Sequence, residues 1–216
     1  MNNGIKLSVI VCALLAPVLA SAATTADLKL IGTITPAACV PNFTGGSTID
    51  YGNIAATSLG ATAQTTLPDK TTKLTVTCDA PVKFAFAVLD ERSASAVTTL
   101  TTVPGSNPQK FGLGTADDGS KIGAYSMIIS NETAGSGVAR RLESTDSGTT
   151  WTPFSGIIRE GSIIGFGNSA TATAPGAHTS IAVDLMVGAA IDKSSNLPIT
   201  NEIKIDGLAT FEVKYL

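Results

Sequence analysis

The chain is poor in charge. Asp, Glu, Lys and Arg make up 14% of its 216 residues, against about a quarter in a typical soluble domain. The balance is −3, so neither nucleic acid nor an anionic membrane is expected as a partner. Many faces of the fold are therefore expected to be dry. Histidine occurs once, as His178, and arginine four times, as Arg92, Arg140, Arg141 and Arg159. A Ser/His/Asp site would have to use His178, which sits in an Ala/Thr/Gly-rich stretch (residues 168–179) read as an exposed loop. A loop histidine of that kind reads as a bystander rather than a base. No HExxH, phosphate-binding loop or dinucleotide fingerprint is present. Asp117-Asp118-Gly119 lacks the ligand spacing of a calcium loop. No catalytic residue, cofactor or metal is expected, and the chain does not read as an enzyme.

Helical periodicity is also missing. Apolar residues at i, i+3, i+4 and i+7 do not persist anywhere after residue 22. The 21 glycines and the abundant threonine disfavour helix as well. No stretch beyond the N-terminus is long and apolar enough to span a membrane.

The N-terminus reads as a secretory leader. Lys6 precedes the apolar run at residues 7–20 (LSVIVCALLAPVLA), and Ala20-Ser21-Ala22 has the small residues of a cleavage site. The run is shorter than the ~20 residues of a spanning helix and contains Pro17. The expected organisation is a removed signal peptide (1–22) and one domain (23–216). Loss of Cys12 leaves Cys39 and Cys78. In an exported chain without a Cys-x-x-Cys motif, the simplest expectation is a structural disulfide.

What remains is period-two alternation. The C-terminal stretch IKIDGLATFEVKYL places Ile203, Ile205, Gly207, Ala209, Phe211, Val213 and Tyr215 on one face. The other face is mostly polar, and this pattern predicts a half-buried β-strand. Further strands are expected at 28–34, 47–54, 73–78, 82–89, 121–130, 138–143, 149–154, 162–166 and 180–191. A turn at Asp79-Ala80-Pro81 should separate two of them. Short strands punctuated by Gly, Pro, Asn and Asp predict an all-β sandwich.

The segment Gly32-Thr33-Ile34-Thr35-Pro36-Ala37-Ala38-Cys39, the second cysteine closing KLTVTC, and the terminal TFEVKY with its penultimate Tyr215 carry a resemblance. The chain resembles the subunits of chaperone–usher fimbriae (pili), in particular their longer fimbrial-like relatives. That resemblance implies an immunoglobulin-like (pilin-type) sandwich that can lack its last strand. Its partners would be a periplasmic pilus chaperone, an usher or other fimbrial subunits, reached by β-strand addition. Phe211, Val213 and Tyr215 would face the chaperone, and the Leu216 carboxylate would be gripped by basic chaperone residues. The location implied is the periplasm or a surface fimbrium. Residues 23–27 are too few for a separate donor arm at ~3.3 Å per residue. Either residues 28–34 donate, or the protein is not a shaft subunit.

Residues 144–151 fit S-x-D-x-G-x-x-W, the Asp-box hairpin known from sialidase propellers, where its role is structural. Trp151 is the candidate contact in the rival reading, a stand-alone secreted sandwich that binds glycan or another surface ligand.

Overall fold

A computed structural model describes residues 26, 28–34, 37–135, 137 and 139–216. The expected leader and cleavage site lie outside the described residues. The chain divides into two units, Met1–Thr35 and Pro36–Leu216. In the first, residues 28–34 carry no regular structure. Leu28, Leu30 and Ile34 are each at least 96% exposed. The strand expected there is thus absent. Alternation selects a face, but a strand also needs a partner's main-chain groups.

The second unit is all-β. Its strands among the described residues are β1 (Cys39–Thr44), β2 (Thr65–Thr66), β3 (Lys70–Asp90), β4 (Phe111–Gly112) and β5 (Gly123–Ala134). They continue with β6 (Arg140–Ser144), β7 (Thr152–Pro153), β8 (Ile163–Gly167), β9 (Ala177–Ile191) and β10 (Ala209–Tyr215). Short 3-10 turns occur at Ala56–Ser58, Ser93–Ser95 and Ser194–Asn196. Among the described residues no helix is long and apolar enough to cross a membrane.

Two antiparallel sheets share β3. One runs β1, the first half of β3, β9, β5, β4, with β2 on the end of β9. The other runs β10, the second half of β3, β8, β6, β7. The crossing point is a register shift between Thr77 and Val82. The turn expected at Asp79-Ala80-Pro81 is therefore a bulge, and the two strands expected on either side are one. Pro81 has no N–H to give a ladder, which a bulge tolerates. The bend lets β3 line both layers of the sandwich.

The core fills the space between the layers with every second residue. Leu74, Val76, Phe84, Phe86 and Val88 come from β3, and Ile181, Val183, Leu185 and Val187 from β9. Ile164 and Phe166 reach in from β8, with Phe86 and Phe166 ring centroids 5.8 Å apart. Strands β5 and β9 approach closely at Gly123, where a Cβ would fall 2.1 Å from the Ala190 carbonyl oxygen. Only glycine fits that position.

A candidate strand-addition seam

Both β1 and β10 are edge strands, each paired on one side to β3. The register shows which of their main-chain groups face outward. Glu91 N–H donates to the Leu208 carbonyl (3.0 Å), and Leu216 N–H to the Lys83 carbonyl (3.1 Å). These bonds bracket β10, so Thr210, Glu212 and Lys214 bond to β3 in alternation. Ala209, Phe211, Val213 and Tyr215 then turn their N–H and C=O to the outer edge. The side chains of Ala209, Phe211 and Val213 pack half-buried against the core.

On β1, Asp79 N–H donates to the Ala38 carbonyl (3.1 Å). By the same alternation Cys39, Pro41 and Phe43 face outward. Pro41 has no N–H, a common means of blunting an edge. Phe43 C=O accepts from Gly46 N–H (3.3 Å). Cys39 N–H donates to the Tyr215 hydroxyl (2.8 Å). The Phe43 and Phe211 rings meet edge to face at 5.4 Å, and Phe211 also contacts Phe86 at 5.9 Å. The Cys39–Cys78 disulfide forms, with Cα atoms 4.0 Å apart, and fastens β1 to β3 beside the Tyr215 contact. Such a bond belongs to an oxidising compartment.

Beyond these strands the two chain segments separate. Residues 47–54 and 203–208 are not in strands, contrary to expectation, and residues 201–202 are not either. Pairing of β10 stops at Asp90 because β3 turns there into the Ser93–Ser95 3-10 turn. Asp206 N–H instead donates to the Leu113 carbonyl (2.9 Å), and the Asp206 carboxylate pairs with Arg92 (2.8 Å). A trench of about 630 Å³ lies between the two segments. Ile49 and Ile54 line one side, Ile203 and Ile205 the other, and buried Ile122 and Ile191 the base.

Residues 28–126 match the family model described as "Protein of unknown function (DUF1120)". The whole chain is similar to Protein GltF of Escherichia coli (strain K12), with 31% identity over 232 aligned positions, covering 92% of this chain and 91% of GltF. This chain belongs to the DUF1120 family. Uncharacterized protein YhcF of the same strain is 25% identical over 218 positions, covering 88% of this chain and 89% of YhcF. Neither relative's name states an activity.

Elsewhere in this DUF1120 protein, the Asp-box residues form a compact hairpin. Asp146 accepts from Thr150 Oγ1 (2.6 Å), Thr150 N–H (2.9 Å) and Ser144 Oγ (2.7 Å). The Thr150 hydroxyl, then the Thr150 amide and the Ser144 hydroxyl, hold its carboxyl down at about 2. Trp151 is half-buried, and its Nε1–H donates to the Gly148 carbonyl (3.1 Å). Its ring lies over Gly165, where a Cβ would come within 2.9 Å of the indole.

His178 is not in a loop. It lies in β9, 1% exposed, with Nε2 3.0 Å from the Phe166 carbonyl oxygen. Its position opposite Val82 at the β3 bulge draws it inward, which no local pattern signals. The four arginines go to separate partners. Arg92 pairs with Asp206, Arg141 with Glu132 (3.2 Å) and Arg159 with Glu143 (3.7 Å), while Arg140 donates to the Ala172 carbonyl (2.8 Å). Asp118 closes its own turn by accepting from Ser120 N–H (2.9 Å). Among the described residues, no three His, Cys, Asp or Glu side chains are grouped to hold a metal ion.

Sequence reasoning missed Asp90. It is 5% exposed and accepts from Arg92 N–H and Gly112 N–H, both at 2.8 Å. Burial outweighs those bonds and raises its pKa. Its only trace in the sequence is a carboxylate closing an apolar run.

Proposed function

We propose that this DUF1120 protein is a structural or assembly component of a fimbria, or a fimbria-associated periplasmic protein, that works by β-strand addition. An extended segment of a periplasmic chaperone or neighbouring subunit would pair with the outer edge of β10. The observation that carries this reading is the set of outward main-chain groups at Ala209, Phe211, Val213 and Tyr215, next to apolar side chains at the end of the chain. Main-chain bonds to such an edge supply affinity, and pockets for alternate side chains supply specificity. Tyr215 and Leu216 are both about half exposed and would be the first residues a partner meets.

The exposed residues 28–34 support the reading from the donor side. They alternate Leu28, Leu30, Gly32 and Ile34, and match the seven-residue length of β10. At ~3.3 Å per residue both span about 23 Å.

The test is periplasmic expression of the chain with and without a pilus-type chaperone, followed by melting. Recovery of a stoichiometric chaperone complex, in higher yield than the lone chain, is the expected result. A soluble monomer that melts cooperatively without any chaperone and forms no complex refutes strand addition.

A further inference from the structure

The two free edges of the seam already touch, and they do so through side chains. On β1 each of the three outward positions has one main-chain group that is already bonded or lacking. Cys39 N–H is held by the Tyr215 hydroxyl at 2.8 Å, across 176 residues of sequence. Pro41 has no N–H. Phe43 has its carbonyl bonded to Gly46 N–H and its ring set against Phe211 at 5.4 Å, nearly perpendicular. The partners on the far side, Phe211 and Tyr215, are outward positions of β10. The residues whose main chain an added strand would engage therefore carry the side chains that bring the edges together.

We infer that Tyr215 is an autoinhibitory latch. Its hydroxyl on Cys39 N–H, backed by the Phe43–Phe211 contact, holds the seam closed in the unpartnered chain. A strand that adds along β10 must displace Tyr215, and Cys39 N–H is then released to donate to the incoming backbone. The ring of Tyr215 is about half exposed, so the latch lies in the hydroxyl bond, which exists only in the closed state. The gating role rests on the strand-addition reading above. The latch itself is a property of the single chain.

The test uses the full-length protein, the variant Tyr215→Phe, and a synthetic peptide of residues 26–35 as the strand probe. Removing the hydroxyl leaves the ring and deletes one hydrogen bond of ordinary strength. Amide hydrogen exchange at Cys39 should rise about fivefold, and peptide capture should quicken by a similar factor. Phe43→Leu removes the second contact and should shift both readouts in the same direction, which keeps the test informative if Tyr215→Phe folds poorly. Unchanged exchange at Cys39 in both variants overturns the latch, whether or not the peptide binds. Exchange that rises while no version of the protein captures the peptide leaves the latch standing and overturns strand addition. Faster exchange with an unaltered capture rate overturns the gating role.

Discussion

Replacing Cys39 and Cys78 together by alanine tests how the open edge of this sandwich is braced. The bond joins residues 39 apart in sequence, so it closes a loop of about 40 residues in the unfolded chain. The loop-entropy relation gives about 4 kcal/mol for a loop of that length. For a domain of this size each kcal/mol moves Tm by about 2–4 °C, so the variant should melt about 8–16 °C lower. Part of the effect should be local. Strand β1 is held by one ladder, to residues Lys73–Cys78 of β3, and by the Tyr215 bond at Cys39. Central β9 has ladders on both sides, to β3 and β5. Calorimetric melts of the oxidised protein and the double variant measure the first effect. Amide exchange resolved by strand measures the second, with β1 losing more protection than β9. A Tm loss under about 3 °C refutes the entropic reasoning. Equal loss of protection in β1 and β9 refutes the assignment of the bond to the seam.

Two further outcomes follow from other parts of the fold. The Asp146 carboxyl, held by Thr150 and Ser144, should titrate near 2 rather than 3.8 when followed by carbon NMR. Because its folded pKa is the lower one, its contribution to stability is present above the ordinary carboxylate range and disappears as pH falls from about 4 towards 2; a midpoint at 3.8 would remove the hairpin's claim to order that side chain. Gly123→Ala places a Cβ 2.1 Å from the Ala190 carbonyl oxygen. The resulting overpacking should cost about 1–3 kcal/mol in urea unfolding, and a neutral result would mean that β5 and β9 can separate freely.

Local pattern was enough for several features of this protein. A strongly apolar run marked β9, and period-two alternation marked the Ala209–Tyr215 portion of the last strand, because one face of it meets the core. The absence of helical periodicity excluded a helical domain. Cys39 and Cys78 paired, as expected for two cysteines without a Cys-x-x-Cys motif. The Asp-box residues closed their own hairpin, since each bond there spans four residues or fewer.

Only tertiary structure decided which alternating segments became strands. Residues 28–34, 47–54 and 203–208 were expected as strands too, yet none has a ladder. Alternation reports which way side chains point, whereas a strand is made by the main chain of a neighbour, which leaves no mark on the segment's own sequence. The same reason turned Asp79-Ala80-Pro81 from a turn into a bulge, since β9 continues past it and pairs with Val82 and Lys83. It also buried His178 and Asp90, two polar groups accommodated by carbonyl and amide partners remote in sequence. The seam itself is the clearest case. Tyr215 and Cys39 stand at opposite ends of the domain's sequence, and only the bend of β3 brings the two edges it carries within one hydrogen bond of each other.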